Sequence, residues 1–269
     1  MALGTDEIAT YLAFAEQLAD ASGKAILPHF RQQMAVEDKG SRADGNGRYD
    51  PVTAADKAAE AAIRSLIKMH HPDHGIHGEE EGVEPGTSPL LWVIDPIDGT
   101  RAFITGMPLW GTLIALNDGI RPVLGVMDQP FTGERFLGWG TGARLGDRTL
   151  STRPCASLAQ AQVMATDPRM FTEPDTRAAF DAVEAQARMT RYGGDCYAYC
   201  MLAMGFVDLV IEGSLQPYDV QALIPIVEGA GGLFTSWTGG PADQGGLVVA
   251  AGDARVHAEA LAILRPFIT

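Results

Sequence analysis

The sequence predicts a layered α/β protein. Apolar residues recur at helical spacing in several long segments, and between these lie short apolar runs bounded by turn residues. Such alternation of helix-forming and strand-forming stretches is what stacked helix and sheet layers require. The 46% hydrophobic share of the 269 residues supplies a sizeable buried core. Single cores stop growing at roughly 250–300 residues, so the length allows one large unit or two lobes. One functional unit spanning 1–269 is expected.

From Thr5 to about Gln33 the residues Ile8, Leu12, Ala15, Leu18, Ile26 and Phe30 follow a helical period, with Thr5 available as N-cap. This is a long helix or a helix pair. Glu37 to Asp50 is polar and glycine-rich and reads as an exposed loop. A helix over about Thr53–Met69 buries Ala55, Ala59, Ile63, Leu66 and Ile67 and stops before Pro72. Leu90–Ile94 is a short apolar run ending in an aspartate, the mark of a buried strand. Gly111–Asn117, Val123–Asp128 and Arg135–Trp139 are strand-like and close together, which implies an antiparallel meander. Downstream, strands are expected at Ala161–Ala165, Val207–Ile211, Gly232–Ser236 and Leu247–Ala251. Helices are expected at Asp175–Ala187, Tyr197–Met204, Val220–Ala230 and Ala254–Leu264. No internal repeat stands out.

Charge and cysteine usage exclude several classes. Thirty-four acidic against twenty basic residues leave a net charge of −14, which repels nucleic-acid backbones and anionic lipid headgroups. An anionic substrate would then need metal ions to invert the local field. Three cysteines, Cys155, Cys196 and Cys200, make no complete disulfide set, and a reducing cytoplasm fits them best. Asp6 and Glu7 stand where a secretory signal carries Lys or Arg, so no signal peptide is expected. No apolar stretch reaches the length of a membrane span.

The informative residues are carboxylates beside glycines at segment ends. Glu79, Glu80 and Glu81 stand between Gly78 and Gly82; Asp95 and Asp98 flank Pro96-Ile97 and precede Gly99-Thr100; Asp219 follows Pro217-Tyr218. Pro96 fixes φ and lacks a donor, so the strand must break there, turning two carboxylates and the Ile97 carbonyl toward one point. Oxygen ligands in such a set suit magnesium, which keeps waters and accepts phosphate oxygens as its remaining ligands. Clustered carboxylates repel one another without a cation, so two or more metals are expected. Gly99 and Thr100 open a turn whose free N–H groups can hold a phosphate. Taken alone, Glu79–Glu81 could equally be a solvated charge run.

Gly78-Glu79-Glu80, Trp92-Val93-Ile94-Asp95-Pro96-Ile97-Asp98-Gly99-Thr100, and Tyr218-Asp219-Val220-Gln221-Ala222 followed by Glu228-Gly229-Ala230-Gly231-Gly232 resemble the inositol monophosphatase superfamily of magnesium-dependent, lithium-sensitive phosphatases. The likeness covers nearly the whole chain. Asp98-Gly99-Thr100-Arg101-Ala102-Phe103, Arg191-Tyr192-Gly193-Gly194-Asp195-Cys196-Tyr197-Ala198-Tyr199 and Gln216-Pro217-Tyr218-Asp219 resemble its histidinol-phosphate phosphatase branch.

The resemblance implies an αβαβα sandwich with an N-terminal lobe of about 1–150 carrying most metal ligands and a C-terminal lobe of about 151–269 supplying Asp219 and substrate contacts. It implies two or three Mg2+ ions. Glu79, Asp95 and the Ile97 carbonyl would hold the first; Asp95, Asp98 and Asp219 the second; Glu79, through water, a third. Gly99 and Thr100 would present donors to the phosphate, with Lys39 near it. Glu79, Asp56 and Thr100 would act on the attacking water, Asp56 belonging to the element Thr53-Ala54-Ala55-Asp56. This chain departs from the family by a longer Gly/Arg-rich stretch after Lys39, and by Tyr218 where many inositol-phosphate-cleaving members have Trp. A cytoplasmic homodimer acting on a small phosphorylated metabolite is implied.

Two metals can clamp attacking and leaving oxygens and acidify a water, so direct in-line hydrolysis without a phospho-enzyme is expected. Substrate contacts are expected from Asp98, Arg101, Arg191, Asp195, Glu212 and Asp219. Histidinol phosphate carries an ammonium and an imidazole, for which Asp195 and Glu212 are the candidate acids; an inositol ring could use the same two carboxylates for its hydroxyls. Asp195, following Gly193-Gly194, also suits a plain N-cap. The expected reaction is hydrolysis of L-histidinol phosphate, with inositol monophosphate or another small ester as the alternative. A non-catalytic regulatory protein of this fold would be expected to have lost a ligand, and all matched acids are present. His70, His71, His74 and His77 invite a zinc reading, but no cysteine pair accompanies them.

Overall fold

The computed structural model describes residues 3–32, 36–38 and 51–268. In chain order it builds α1 (Thr5–Ile26), the ribbon β1 (Val36–Asp38) and β2 (Pro51–Thr53), then α2 (Ala54–His70), β3 (Gly75–Gly78), β4 (Gly82–Glu84), β5 (Leu91–Asp98), α3 (Thr100–Ile104), β6 (Gly111–Asn117), β7 (Pro122–Gln129), β8 (Glu134–Trp139), β9 (Gly142–Leu145) and β10 (Arg148–Thr149). The second half adds β11 (Gln162–Ala165), α4 (Pro174–Glu184), β12 (Met189–Tyr192), α5 (Asp195–Ala203), β13 (Leu209–Leu215), α6 (Pro217–Val220), α7 (Leu223–Gly229), β14 (Leu233–Ser236), β15 (Gly246–Ala251) and α8 (Ala254–Leu264).

Five layers result. The large sheet runs β10-β9-β8-β7-β6-β5-β3-β4 and the small one β12-β11-β13-β15-β14. Strand alternation assigns each sheet two apolar faces. On β5 and β6, Trp92, Ile94, Ile114 and Leu116 meet Phe14, Leu18, Ile63 and Ile67 of α1 and α2. Val93, Leu113 and Ala115 point the other way, onto α5, α7 and the small sheet's inner residues Val210, Val248 and Ala250. The small sheet's outer residues Leu209, Ile211, Val249 and Ala251 are covered by Phe180 and Val183 of α4 and Val256, Ala260 and Leu264 of α8. The order is α1α2, sheet, α5α7, sheet, α4α8, the expected αβαβα sandwich.

Close backbone approach sets the middle layer. A Cβ on Gly125 would lie 1.9 Å from the Ala222 carbonyl oxygen, and one on Gly138 would lie 2.3 Å from the Ile226 backbone. Glycine at these two strand positions lets α7 lie directly on β7 and β8.

Several boundaries differ from the sequence reading, each for a local reason. α1 is capped by Gly4, whose amide donates to Glu7 at 2.8 Å, so Thr5 is the first helical residue and not the cap. α1 ends at Ile26 and not near Gln33, because Pro28 has no amide to carry the ladder on. The expected helix Val220–Ala230 is two, α6 and α7, and Pro225 falls in the first turn of α7, where its missing donor has no partner to lose. β5 does not stop at Asp95; it continues through Pro96 with a register slip against β6 between Asp95 and Asp98, a bulge that absorbs the proline. β13 reaches past Ile211 to include Glu212. α4 ends at Glu184, short of Ala187, and α5 begins at Asp195, ahead of Tyr197. The strands β3, β4, β9, β10 and β12 are too short and too polar to show a period-two pattern. The meander across β6, β7 and β8 is antiparallel, as expected.

Candidate active site

Two elements from different layers bring the acids together. β5 supplies Asp95 and Asp98 on either side of its bulge, and α6 supplies Asp219 from its first turn. Asp95 accepts the Ile97 amide at 3.0 Å, and Asp219 accepts the Gln216 amide at 2.7 Å, so local backbone donors aim both side chains. One carboxylate oxygen from each of Asp95, Asp98 and Asp219 lies within 4.8 Å of the others.

This is an expensive arrangement without a cation. Asp95 is 2% exposed. Burial, then the charges of Glu79, Asp98 and Asp219, push its carboxyl well above the usual range. Asp219 is pushed up well above its range by burial and by Asp98. Asp98 is raised by burial, partly relieved by the Cys196 thiol and by the Cys196 amide, which donates to it at 2.7 Å. Like charges gathered in a low-dielectric corner favour protonation unless a cation neutralises them. An oxygen-only donor set of this kind fits a hard divalent ion such as Mg2+.

Glu79 follows β3, and its amide donates to the Ile94 carbonyl on β5 at 3.1 Å. Its charge acts on both Asp95 and Asp219, so it stands with the cluster, outside the tight triad. The run Glu79–Glu81 thus divides: Glu79 stands with the cluster and Glu81 is an exposed charge, while the Glu80 and Glu81 amides both donate to the buried Glu60 carboxylate.

Gly99 sits at φ +82 as the N-cap of α3, with Thr100 the first helical residue. Thr100 Oγ1 donates to the Ile97 carbonyl at 3.1 Å. Asp56, 1% exposed on α2, accepts the Thr53 amide at 2.8 Å and the Thr53 hydroxyl at 2.6 Å. This capping box joins the two residues that the sequence singles out. Lys39 lies outside the described residues.

Among the substrate candidates, Asp195 and Glu212 are joined through Thr166. Glu212, 3% exposed, accepts the Thr166 amide at 2.9 Å, the Thr166 hydroxyl at 2.6 Å and the Tyr199 hydroxyl at 3.0 Å. The Asp195 amide donates back to Thr166 Oγ1 at 3.1 Å. Asp195 opens α5 in a left-handed conformation, φ 44, and is not its cap; that position belongs to Gly194. A Cβ on Gly99 would come within 3.1 Å of the Asp195 side chain, so glycine there lets Asp195 approach the proposed phosphate corner. Burial, then Asp98 and Glu212, push Asp195 up to about 8, opposed by Arg101. Burial likewise pushes Glu212 up to about 7 against its Thr166 bonds. Arg101 is exposed on α3, and Arg191 is exposed on the edge strand β12. The His70–His77 run forms no metal site among the described residues: His71 and His74 stack at 4.7 Å, and His74 Nδ1 accepts the Trp92 indole N–H.

Sequence reasoning passed over Thr166 and Glu60, and it quoted Tyr199 and Gln221 within motifs without giving either a role. Gln221 accepts from the Asn117 amide at 2.9 Å and donates to the Asp243 carbonyl at 3.0 Å, bridging the large sheet and the C-terminal half next to Asp219. Glu60 had a visible signal, since it shares a helix face with Ile63 and Ile67 and has Arg64 one turn on.

The sequence model of the inositol monophosphatase family matches residues 7–268. The chain belongs to the inositol monophosphatase family. It is 43% identical over 271 residues to the Bifunctional phosphatase IMPL2, chloroplastic, of Arabidopsis thaliana, across 96% of this chain and 76% of that one. It is 36% identical over 264 residues to the Histidinol-phosphatase of Streptomyces coelicolor, across 94% and 96% of the two chains. An inositol monophosphatase structure from Zymomonas mobilis superposes with a TM-score of 0.84 at 39% identity, covering 98% of this chain and 100% of that one. As a member of this metal-dependent family the chain is a phosphomonoesterase acting on a small phosphorylated substrate. No helix among the described residues is long and apolar enough to cross a membrane.

Proposed function

We propose that this inositol monophosphatase family member is a Mg2+-dependent phosphatase that hydrolyses L-histidinol phosphate to L-histidinol and phosphate. The observation that carries the substrate choice is Asp195: a mostly buried carboxylate, outside the Asp95–Asp98–Asp219 triad, placed beside Gly99 and pushed up to about 8. A carboxylate held there at a cost is stabilised by a cationic group on the ligand, and histidinol phosphate brings an ammonium.

Glu79, Asp95 and the Ile97 carbonyl would hold a first Mg2+, Asp95, Asp98 and Asp219 a second, and Glu79 through water a third. Magnesium, when bound, neutralises the phosphoryl oxygens and acidifies water. The amides of Gly99 and Thr100 orient the phosphate, and the absence of a Cβ at Gly99 lets Asp195 stand beside it. Asp56, aligned by Thr53, and Thr100 hold the attacking water; its proton passes by way of the Thr100 hydroxyl to the Asp56 carboxylate, with Glu79 assisting. Water attacks phosphorus in line as the P–O bond to the alcohol breaks and the departing oxygen takes a proton from a water of the site, with no covalent enzyme intermediate, since positioning and charge neutralisation suffice for a loose transition state. Asp98 and Asp219 are proposed to touch the substrate from the metal side, Asp195 and Glu212 from the organic side, with Arg101 and Arg191 as exposed contacts; Lys39, assigned to the phosphate by the family resemblance, lies outside the described residues. Glu212, already accepting three donors, acts on the ligand with its remaining acceptor capacity and holds Thr166 against Asp195. A cytoplasmic homodimer belongs to the same proposal, supported for the compartment by three free cysteines.

Phosphate release from L-histidinol phosphate and myo-inositol 1-phosphate, side by side with Mg2+ and with a chelator, tests the proposal. Chelator-sensitive preference for histidinol phosphate is the expected result. Preference for the inositol ester would keep the metal chemistry and make Asp195 and Glu212 hydroxyl acceptors. Turnover of neither ester would overturn the substrate assignment.

A further inference from the structure

Glu60 is fully buried on α2, and no step above uses it. Its carboxylate collects three donors. Oε1 accepts Arg64 Nε at 2.8 Å and the Glu81 amide at 3.0 Å, while Oε2 accepts the Glu80 amide at 2.8 Å. Arg64, 3% exposed, donates also to the Gly82 carbonyl at 2.5 Å and stands 3.6 Å from the Glu81 and Glu84 carboxylates. On the other side of Glu79, Gly78 lies so near that a Cβ there would sit 2.1 Å from Glu60 Oε1. The backbone before Glu79 is thus pressed against this carboxylate, and the backbone after it is bonded to it twice. Between them the Glu79 amide is taken by the Ile94 carbonyl of β5, the strand that carries Asp95. Glu79 therefore has little freedom in where its side chain starts.

We infer that Glu60, locked by Arg64, is a positioning residue that aims Glu79 at Asp95 and thereby sets metal affinity. The inference rests on the proposed role of Glu79 as a ligand. A buried carboxylate is costly, and a short loop could satisfy its own amides with water; two consecutive amides on one buried acid hold a ligand in place instead. Substitution to Gln puts an NH2 group against an amide or guanidinium donor, so the grip fails although the volume is unchanged. Substitution Gly78→Ala attacks the same contact from the loop side without touching any charge.

The test titrates Mn2+ into the metal-free full-length protein by calorimetry for wild type, Glu60→Gln and Gly78→Ala. The control is Arg153→Ala, which removes the 2.6 Å ion pair with buried Asp208 elsewhere in the fold. Thermal unfolding of each metal-free variant is recorded alongside. Glu60→Gln and Gly78→Ala should each weaken Mn2+ binding about 10- to 100-fold. They should also raise the Mg2+ concentration for half-maximal phosphate release by a similar factor, with activity returning at high Mg2+. Arg153→Ala should lower the melting temperature and leave both metal readouts in place. If Glu60→Gln unfolds, Gly78→Ala decides. Folded variants that bind Mn2+ like wild type would overturn the inference, as would an equal loss in Arg153→Ala, which would reduce the effect to general destabilisation. A wild-type protein that binds no Mn2+ would overturn the metal-site reading together with it. Binding without turnover of either ester would leave the calorimetric arm to decide the role of Glu60.

Discussion

Asp195→Asn is expected to make the metal-free protein more stable at pH 8 and hardly change it at pH 5. In the folded chain the Asp195 carboxyl is pushed from 3.8 up to about 8, by burial first and then by Asp98 and Glu212. An acid whose folded-state value lies above its unfolded one costs nothing below the unfolded value. The cost grows as pH rises from about 4 and is complete above about 8. At ~1.4 kcal/mol per pH unit the ceiling is about 6 kcal/mol at pH 8 and about 2 kcal/mol at pH 5. Water reaches part of the side chain, and part of the repulsion is shared with Asp98, so about one third of the ceiling, ~2 kcal/mol, is the expected gain at pH 8. For a chain of this size that is about 4 °C in melting temperature, against 1 °C or less at pH 5. Asparagine tolerates the left-handed backbone of this position, φ 44, at least as well as aspartate. Differential scanning calorimetry in chelator at the two pH values measures it. A melting difference that is the same at both pH values, or a loss at pH 8, would refute the view that the surroundings of Asp195 disfavour its charged form. In the metal-loaded enzyme the same variant should lower kcat/KM for histidinol phosphate about 10- to 100-fold, as expected for a lost charged hydrogen bond, and change turnover of a small generic phosphate ester much less.

Two further outcomes follow from the geometry. Asp95→Asn and Asp98→Asn should each abolish phosphate release while the far-UV circular dichroism stays native, and activity retained in both would sink the ligand assignment. Gly138→Ala should destabilise by roughly 2 kcal/mol or more, since its Cβ would lie 2.3 Å from the α7 backbone and no side chain can yield there; an unchanged urea midpoint would show that α7 does not rest on β8 as described.

How much of the site was legible depends on whether a residue's role is local. Asp95, Asp98, Gly99 and Thr100 are neighbours in sequence, so a proline, a glycine and an apolar strand announce their turn without tertiary information. The Thr53–Asp56 capping box is equally local, although the sequence pointed to Asp56 only through the family resemblance. Asp219 could be placed beside them only through the family resemblance, since nothing in 120 intervening residues says that α6 ends against β5. Thr166 carried no signal, and Tyr199 stood in a quoted motif without a role, because hydroxyls are common and Glu212, which both hold, lies 46 and 13 residues away. The single-helix reading of 220–230 failed because periodicity continues smoothly over the junction between α6 and α7.

The chain's order of residues by itself determined the α/β class, the first two helices, the antiparallel meander and the acidic segments that the family resemblance makes candidate ligands. Those features rest on local periodicity, proline and glycine geometry and charge, which act over a few residues. The tertiary structure alone decided which acids meet, how near, and at what electrostatic cost. Asp95, Asp98 and Asp219 come within 4.8 Å only because α6 and β5 are stacked through the middle layer, and Glu79 is aimed only because Glu60 reaches across from α2. Burial and mutual repulsion are properties of that meeting, and they raise these carboxyls above their ordinary values.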